Sequence, residues 1–250
     1  DQSSAASDVY KRQMNIWGII IGGATGFAIG GPIGALLGAA AGHYAEAKFK
    51  GPSDSFESKK IAFTVAIIAL SAKMAKADGV ITRSEITAFR QKVHIPTEDL
   101  KRVGQFWDLA RQTPDGFQSY AKQSVALFGS RAPILEQLLE LLFFIAKADG
   151  EISTPEWNYL NIVSSIFGFD ELEFQRMADI YGSGEGAAHT ILGIAADASE
   201  SEIKAAWRRL VRENHPDKLI SQGLPDEFVK AATDRLHLIN AAYHSMLKRI

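Results

Sequence analysis

The chain has 250 residues, and its 27 lysine and arginine residues nearly balance its 29 aspartate and glutamate residues. This length accommodates one or two globular domains and a further segment. The sequence contains no cysteine, which excludes structural disulfides and cysteine-rich zinc modules.

The N-terminal part of the chain carries an uncharged segment. Residues 1–13 are polar, and we interpret them as a leader or an artificial extension. Residues 16–42 carry no charge, and as a helix they would reach roughly 40 Å, beyond the ~30 Å hydrocarbon core of a bilayer. We therefore predict a transmembrane helix. The alternatives are a cleaved signal peptide, which needs a basic region that is missing between Met14 and Ile16, and a soluble glycine-rich loop.

Glycine recurs at every fourth position of this segment, at Gly18, Gly22, Gly26, Gly30, Gly34, Gly38 and Gly42. Such a row allows two helices to approach closely in the lipid bilayer, so we expect a homodimer through this helix. Four lysines follow the span, at Lys48, Lys50, Lys59 and Lys60. By the positive-inside rule, the rest of the chain lies in the cytoplasm. Residues 43–58 are interpreted as a linker.

Residues 59–181 are predicted to form a helical domain in which a sequence pattern repeats about 71 residues later. Each copy has an apolar helix, an Asp-Gly turn and a second helix. The apolar segments, Ile61–Ala72 and Ile134–Ala146, are too short to span a membrane, and Glu136 and Glu140 interrupt the second. We expect both to be central helices. The remaining helices are predicted at Thr97–Arg111, Pro114–Phe128 and Asp170–Tyr181.

The two Asp-Gly turns are compared with metal sites because their spacing matches the second half of an EF-hand loop. Lys76 and Lys147 stand where calcium needs a carboxylate, so calcium binding of that kind is not expected. The Lys-Ala-Asp-Gly turns resemble those of the TerB-like helical domain. If the turns meet, four acidic residues can form a metal site, although turn and cap roles explain each one singly: Asp78, Glu85, Asp149 and Glu156. No metal and no cofactor are predicted.

Residues 182–186 are interpreted as a flexible hinge leading to residues 187–250. Here Glu200–Asn214 is predicted as a basic amphipathic helix that starts with a capping box of Ser199 and Glu202, and Asp226–Leu247 as a second helix. The buried stripe of the first helix is predicted at Ile203, Trp207, Leu210 and Val211. Between them lies the tripeptide His215-Pro216-Asp217. The proline ends the first helix and holds its polar neighbours outward.

The first of these helices has a basic face, formed by Lys204, Arg208, Arg209 and Arg212. Lys204 and Arg209 each have a glutamate four positions away, whereas Arg208 and Arg212 have no acidic residue at three or four positions. Unpaired charge of one sign indicates an acidic partner. Because aromatic residues are not interleaved with these cations, we expect a protein partner and no nucleic acid.

In this order and at this spacing, residues 187–250 resemble a J domain, with Ala188–Gly193 in place of its first helix and Ile239–Tyr243 closing its last. The resemblance implies that the tripeptide, Lys218 and the basic face engage an ATP-bound Hsp70 of the DnaK type and stimulate its ATP hydrolysis.

The predicted span, the TerB-like domain and the J domain together resemble the DjlA type of membrane-anchored co-chaperone. We therefore expect an all-α protein that crosses the bacterial inner membrane once, with its C-terminal domains cytoplasmic. It is expected to recruit Hsp70 and not to be an enzyme, since its histidines form no catalytic constellation. The alternative is an envelope-stress adaptor or sensor whose TerB-like domain binds a metal or another ligand.

Overall fold

The computed structural model of the protein describes residues 56–77, 83–93, 95, 100–112, 115–183 and 186–249. The regular structure of these residues is helical throughout, which confirms the all-α class. The predicted membrane span at 16–42, its glycine row and residues 1–13 lie outside the described part. Within the described part, no helix is both long enough and apolar enough to cross a membrane.

The described residues up to 183 form a helical bundle around two central helices. Its helices are α1 (Phe56–Ala77), α2 (Arg83–Lys92), α3 (Leu100–Ala110), α4 (Phe117–Phe128), α5 (Pro133–Ala146), α6 (Thr154–Phe167) and α7 (Glu171–Met177). A 3-10 turn at Lys147–Asp149 follows α5, and a π-helix at Ala178–Ser183 follows α7. Helix α1 packs against α3, α4, α5 and α6. Its residues Phe63, Ile67 and Leu70 are fully buried, as are Leu135 and Leu142 of α5. The prediction of two buried central helices is confirmed.

Local sequence signals set where the bundle helices begin. At the start of α6, Ser153 and Glu156 form a capping box, in which the Glu156 carboxylate accepts a hydrogen bond from the Ser153 backbone N–H at 2.8 Å. Pro155 lies in the first turn of this helix, where its missing N–H costs no helical hydrogen bond. Asp170 and Glu173 form a second capping box at α7.

The C-terminal helices are α8 (Ala188–Leu192), α9 (Glu200–Glu213), α10 (Pro216–Gln222) and α11 (Val229–Leu247), with a 3-10 turn at Asp226–Phe228. Helices α8, α9 and α11 enclose a small apolar core that includes Leu192, Ile203, Leu210, Ile239 and Met246. The capping box predicted from Ser199 and Glu202 opens α9. Helix α10 was not predicted, because seven residues are too few to show a helical period.

The C-terminal helices pack against the bundle through a second set of apolar side chains. Leu219, Leu224 and Phe228 are fully buried and belong to the core of the bundle. The ring of Phe228 lies edge-on to that of Phe63 in α1, with centroids 4.9 Å apart. The apolar side chains of the C-terminal helices are therefore divided between two cores.

A buried ion network lies in the same interface. Arg235 of α11 is 4% exposed; its guanidinium pairs with Glu136 and donates to Oε2 of Glu140 at 3.1 Å. Arg176 also pairs with Glu136, at 3.4 Å, and the Tyr181 ring centroid lies 5.7 Å from the Arg235 guanidinium carbon. The two glutamates that interrupt the apolar segment of α5 thus have a cationic partner in α11.

Candidate protein-binding surface

The end of α9 shapes the tripeptide that follows it. Helix α9 ends at Glu213, and the backbone N–H and side-chain Nδ2 of Asn214 both donate to the Leu210 carbonyl at 2.9 Å. Asn214 is 1% exposed. A buried side chain therefore donates to a carbonyl of the last turn of α9. His215 has an extended backbone, with φ −64° and ψ 129°, as expected before a proline. Sequence reasoning did not single out Asn214, although asparagine is common near helix ends.

His215 is the N-cap of α10, and Pro216 and Asp217 lie in its first turn. The His215 Nδ1 accepts a hydrogen bond from the Asp217 backbone N–H at 3.2 Å. Because Nδ1 is the acceptor, the neutral ring carries its proton on Nε2. The side chains of His215 and Asp217 are 49% and 87% exposed. The tripeptide therefore presents an imidazole N–H and a carboxylate to solvent, and the structure agrees with the predicted outward orientation.

The basic face of α9 divides into paired and unpaired cations. Lys204 pairs with Glu200, and Arg209 Nη1 lies 3.3 Å from Glu213 Oε2. The hydrogen bond and charge of Glu200 raise the pKa of Lys204 above its ordinary value. Both pairs span four residues, so the helical period made them predictable. Two further cations of this face, the exposed Arg208 and Arg212, form no ion pair with any described residue.

An open groove of about 600 Å³ joins the basic face to the tripeptide. Its lining is formed by Trp207, Arg208, Val211, Arg212, His215, Asp217 and Lys218. The half-buried Trp207 stacks on Tyr243 of α11, with centroids 4.5 Å apart and planes 19° apart. Its indole N–H donates to Asn240 Oδ1 at 2.8 Å. The groove thus has a rigid aromatic wall and cationic rims, which suits a partner with acidic groups beside an apolar contact.

Trp207 had been predicted only as part of the buried stripe of α9. Its position next to Arg208 and one turn before Val211 places it at the edge of that stripe. An aromatic residue at such an edge is shared between core and surface.

Of the four acidic candidates for a metal site, the described part of the chain includes the side chain of Glu156 alone. Asp78 and the side chains of Glu85 and Asp149 lie outside it. Glu156 is 3% exposed, and its carboxylate accepts hydrogen bonds from the backbone N–H and hydroxyl of Ser153, both at 2.8 Å. Among the described residues, no group of three histidine, aspartate or glutamate side chains could hold a metal ion.

Comparison with known families finds three matches in chain order. Residues 14–50 match the family model described as the co-chaperone DjlA transmembrane domain. Residues 64–179 match the tellurite resistance protein TerB, and residues 187–249 match the DnaJ domain.

Proteins named co-chaperone protein DjlA are similar to most of the chain. The Aliivibrio fischeri protein is 30% identical over 220 residues, which cover 74% of this chain and 78% of that protein. The Photobacterium profundum protein is 29% identical over 275 residues, covering 93% and 98% of the two chains. The Coxiella burnetii protein is 28% identical over 266 residues, covering 94% and 98%. No solved structure gives a significant match.

Proposed function

Since this chain belongs to the DjlA family of co-chaperones, we propose that it recruits a cytoplasmic Hsp70 of the DnaK type to the bacterial inner membrane and stimulates its ATP hydrolysis. The observation that carries the proposal is the exposed tripeptide at the end of a cationic groove. His215 and Asp217 are solvent-facing, and the groove beside them is rimmed by Arg208 and Arg212.

Recognition in this proposal begins with charge. Arg208 and Arg212, which have no ion-pair partner among the described residues, keep their positive potential for an acidic surface of the partner. Such complementarity mainly raises the association rate and fixes orientation. The apolar edge of Trp207 and Val211 then supplies contact area.

The tripeptide provides the groups that act on the docked Hsp70. The His215 ring donates through Nε2, since Nδ1 is held by the Asp217 backbone N–H. The Asp217 carboxylate accepts hydrogen bonds, and Lys218 adds a cation at the end of the groove. We propose that these contacts form only with the ATP-bound state of the partner, because a ligand shifts a conformational equilibrium only by differential affinity.

The membrane anchor in this proposal is the segment 16–42, with the described domains on the cytoplasmic side. A match to the DjlA transmembrane domain over residues 14–50 supports an anchor here. The positive-inside rule predicts the cytoplasmic side for the described domains. An ATP-dependent partner requires that same side. We further propose that the glycine row pairs two copies of the chain within the bilayer.

The first test is single-turnover ATP hydrolysis by a bacterial Hsp70 in the presence of the chain. His215→Gln is expected to lower the stimulated rate at least about tenfold, the loss of one essential contact of ~1.4 kcal/mol or more. The matched control is His237→Gln, which changes another exposed histidine of the same domain, on α11. Circular dichroism should show equal helix content in all three proteins. Full stimulation by His215→Gln would refute the proposed role of the tripeptide.

The second test addresses the cationic rims. The double variant Arg208→Glu with Arg212→Glu is expected to bind Hsp70 more weakly and with less dependence on salt, because exposed charge pairs are screened by ions. Lys248→Glu with Arg249→Glu changes net charge equally at two exposed positions outside the groove. If both double variants bind alike at low and high salt, the attraction depends on net charge and not on this face.

A further inference from the structure

The segment that follows the tripeptide is held by the neighbouring bundle. Pro216 is the first residue of α10, and three residues later the side chain of Leu219 is fully buried in the bundle core. Helix α10 contacts both α1 and α5. Leu224 and Phe228 continue the same contact, whereas the core of the C-terminal helices contains none of these three residues.

Backbone geometry makes this contact close and specific. Gly223, at the end of α10, has φ +110°, a value that side-chain-bearing residues rarely adopt. A Cβ at this position would lie 2.5 Å from the Cβ of Lys59, in the first turns of α1. Next to it, Lys60 Nζ lies 3.6 Å from Asp226 Oδ1. The approach of α10 to α1 therefore requires a residue without a side chain.

Polar contacts also hold α11 to the bundle. Lys92 Nζ of α2 lies 3.1 Å from Asp234 Oδ2, and its ammonium lies 4.6 Å from the Phe144 ring centroid. The buried Arg235 pairs with two glutamates of α5. Helices α10 and α11 are thus fixed to α1, α2 and α5 at several separated points.

We propose that the bundle is a structural part of the Hsp70-activating site, in which Leu219 and Phe228 are positioning residues for His215 and Asp217. This inference rests on the proposed function. A seven-residue helix is unstable alone in water, and without the bundle its buried apolar side chains would face solvent. The cap bond between His215 Nδ1 and the Asp217 N–H belongs to the first turn of α10. The bundle therefore preorganises the tripeptide.

The test compares Leu219→Ala and Phe228→Ala with Leu160→Ala in the full chain, purified in a non-ionic detergent. Leu160 is also fully buried, but it lies in α6, which packs against α1, α4, α5 and α7. Two quantities are measured: hydrogen exchange of the α10 amides, such as Leu219 N–H bonded to the His215 carbonyl at 3.0 Å, and the chain concentration that gives half-maximal ATPase stimulation.

We expect Leu219→Ala and Phe228→Ala to leave α10 undocked in most molecules. Its amides should then exchange at close to the unprotected rate, and the half-maximal concentration should rise at least about tenfold. Apparent affinity falls with the population of the competent state. Leu160→Ala should leave both quantities unchanged, although its melting temperature falls. Unchanged α10 exchange in both variants, or exchange at the unprotected rate without a change in half-maximal concentration, would overturn the inference.

A rescue experiment distinguishes undocking of α10 from unfolding of the variant chain. The chain has no cysteine, so Lys92→Cys with Asp234→Cys can be joined by a short bismaleimide. In the Phe228→Ala background this link should return the half-maximal concentration to within about threefold of wild type, because tethering restores the docked population. Failure of the linked protein to recover would also count against the inference. If the wild-type chain itself does not stimulate Hsp70, the proposed function fails, and α10 exchange still reports whether the bundle holds this helix.

Discussion

Replacing Arg235 by alanine is expected to lower the free energy of unfolding by about 3 kcal/mol at neutral pH. The change leaves the carboxylates of Glu136 and Glu140, whose side chains are 16% and 14% exposed, without their main cation. Removing one partner of a buried ion pair costs about 3–5 kcal/mol. Arg176, 3.4 Å from Glu136, still offsets part of that charge, so we place the loss at the lower end.

The loss should depend on pH because the two glutamates respond oppositely to the interface. Burial raises the pKa of Glu136, but the charges of Arg235 and Arg176 outweigh burial and hold it below its ordinary value. Its stabilising contribution is therefore present above the unfolded pKa and is lost as pH falls through the folded pKa. Burial raises the pKa of Glu140, and Arg235 offsets this only partly. Its contribution is present below the unfolded pKa and is lost as pH rises through the folded one.

Without Arg235 both carboxylates are easier to protonate. The difference between wild type and Arg235→Ala should accordingly be largest at pH 7 and smaller near pH 5. Urea denaturation followed by far-ultraviolet circular dichroism at both values measures it. Arg111→Ala, which removes a partly exposed cation paired with Asp108, serves as the control and should cost less than about 1 kcal/mol. A difference within about 1 kcal/mol at pH 7, or one that is equal at both pH values, would refute this account of the network.

Two further predictions concern glycines. Gly223→Ala should reduce stability by at least about 1 kcal/mol more than Gly129→Ala in urea denaturation, because both have positive φ but only the first meets Lys59; equal losses would argue against the close approach. In the proposed span, Gly26→Ile with Gly30→Ile and Gly34→Ile should abolish self-association in a membrane two-hybrid assay while insertion continues. Undiminished association would assign any dimer to other parts of the chain.

The elements that could be predicted from sequence are those whose signals are local. The apolar runs predicted the central helices α1 and α5, and spacings of three or four residues predicted the Ser199 capping box and the Lys204 ion pair. The orientation of His215 followed from the proline beside it. Each of these depends on residues within one or two helical turns.

The interface between the bundle and the C-terminal helices could not be predicted in this way. Leu219, Leu224 and Phe228 follow no helical or strand period, because they lie on a short helix, a connection and a 3-10 turn. Arg235 was not singled out from the sequence, and Glu136 was interpreted as an interruption of an apolar helix. The two are nearly one hundred positions apart in sequence, so neither residue signals the other without the tertiary fold.

With the proposed membrane anchor, the contact between Gly223 and Lys59 also limits how far from the membrane the Hsp70 partner can bind. Lys59 belongs to the first turns of α1, which begins at Phe56. If residues 16–42 span the bilayer as proposed, residues 43–55 connect the membrane surface to that helix. Even fully extended, thirteen residues reach about 45 Å. Because α10 contacts the first turns of α1, the length of this connection also limits the distance between the tripeptide and the membrane. On that proposal, an Hsp70 engaged at the tripeptide would be held close to the membrane surface.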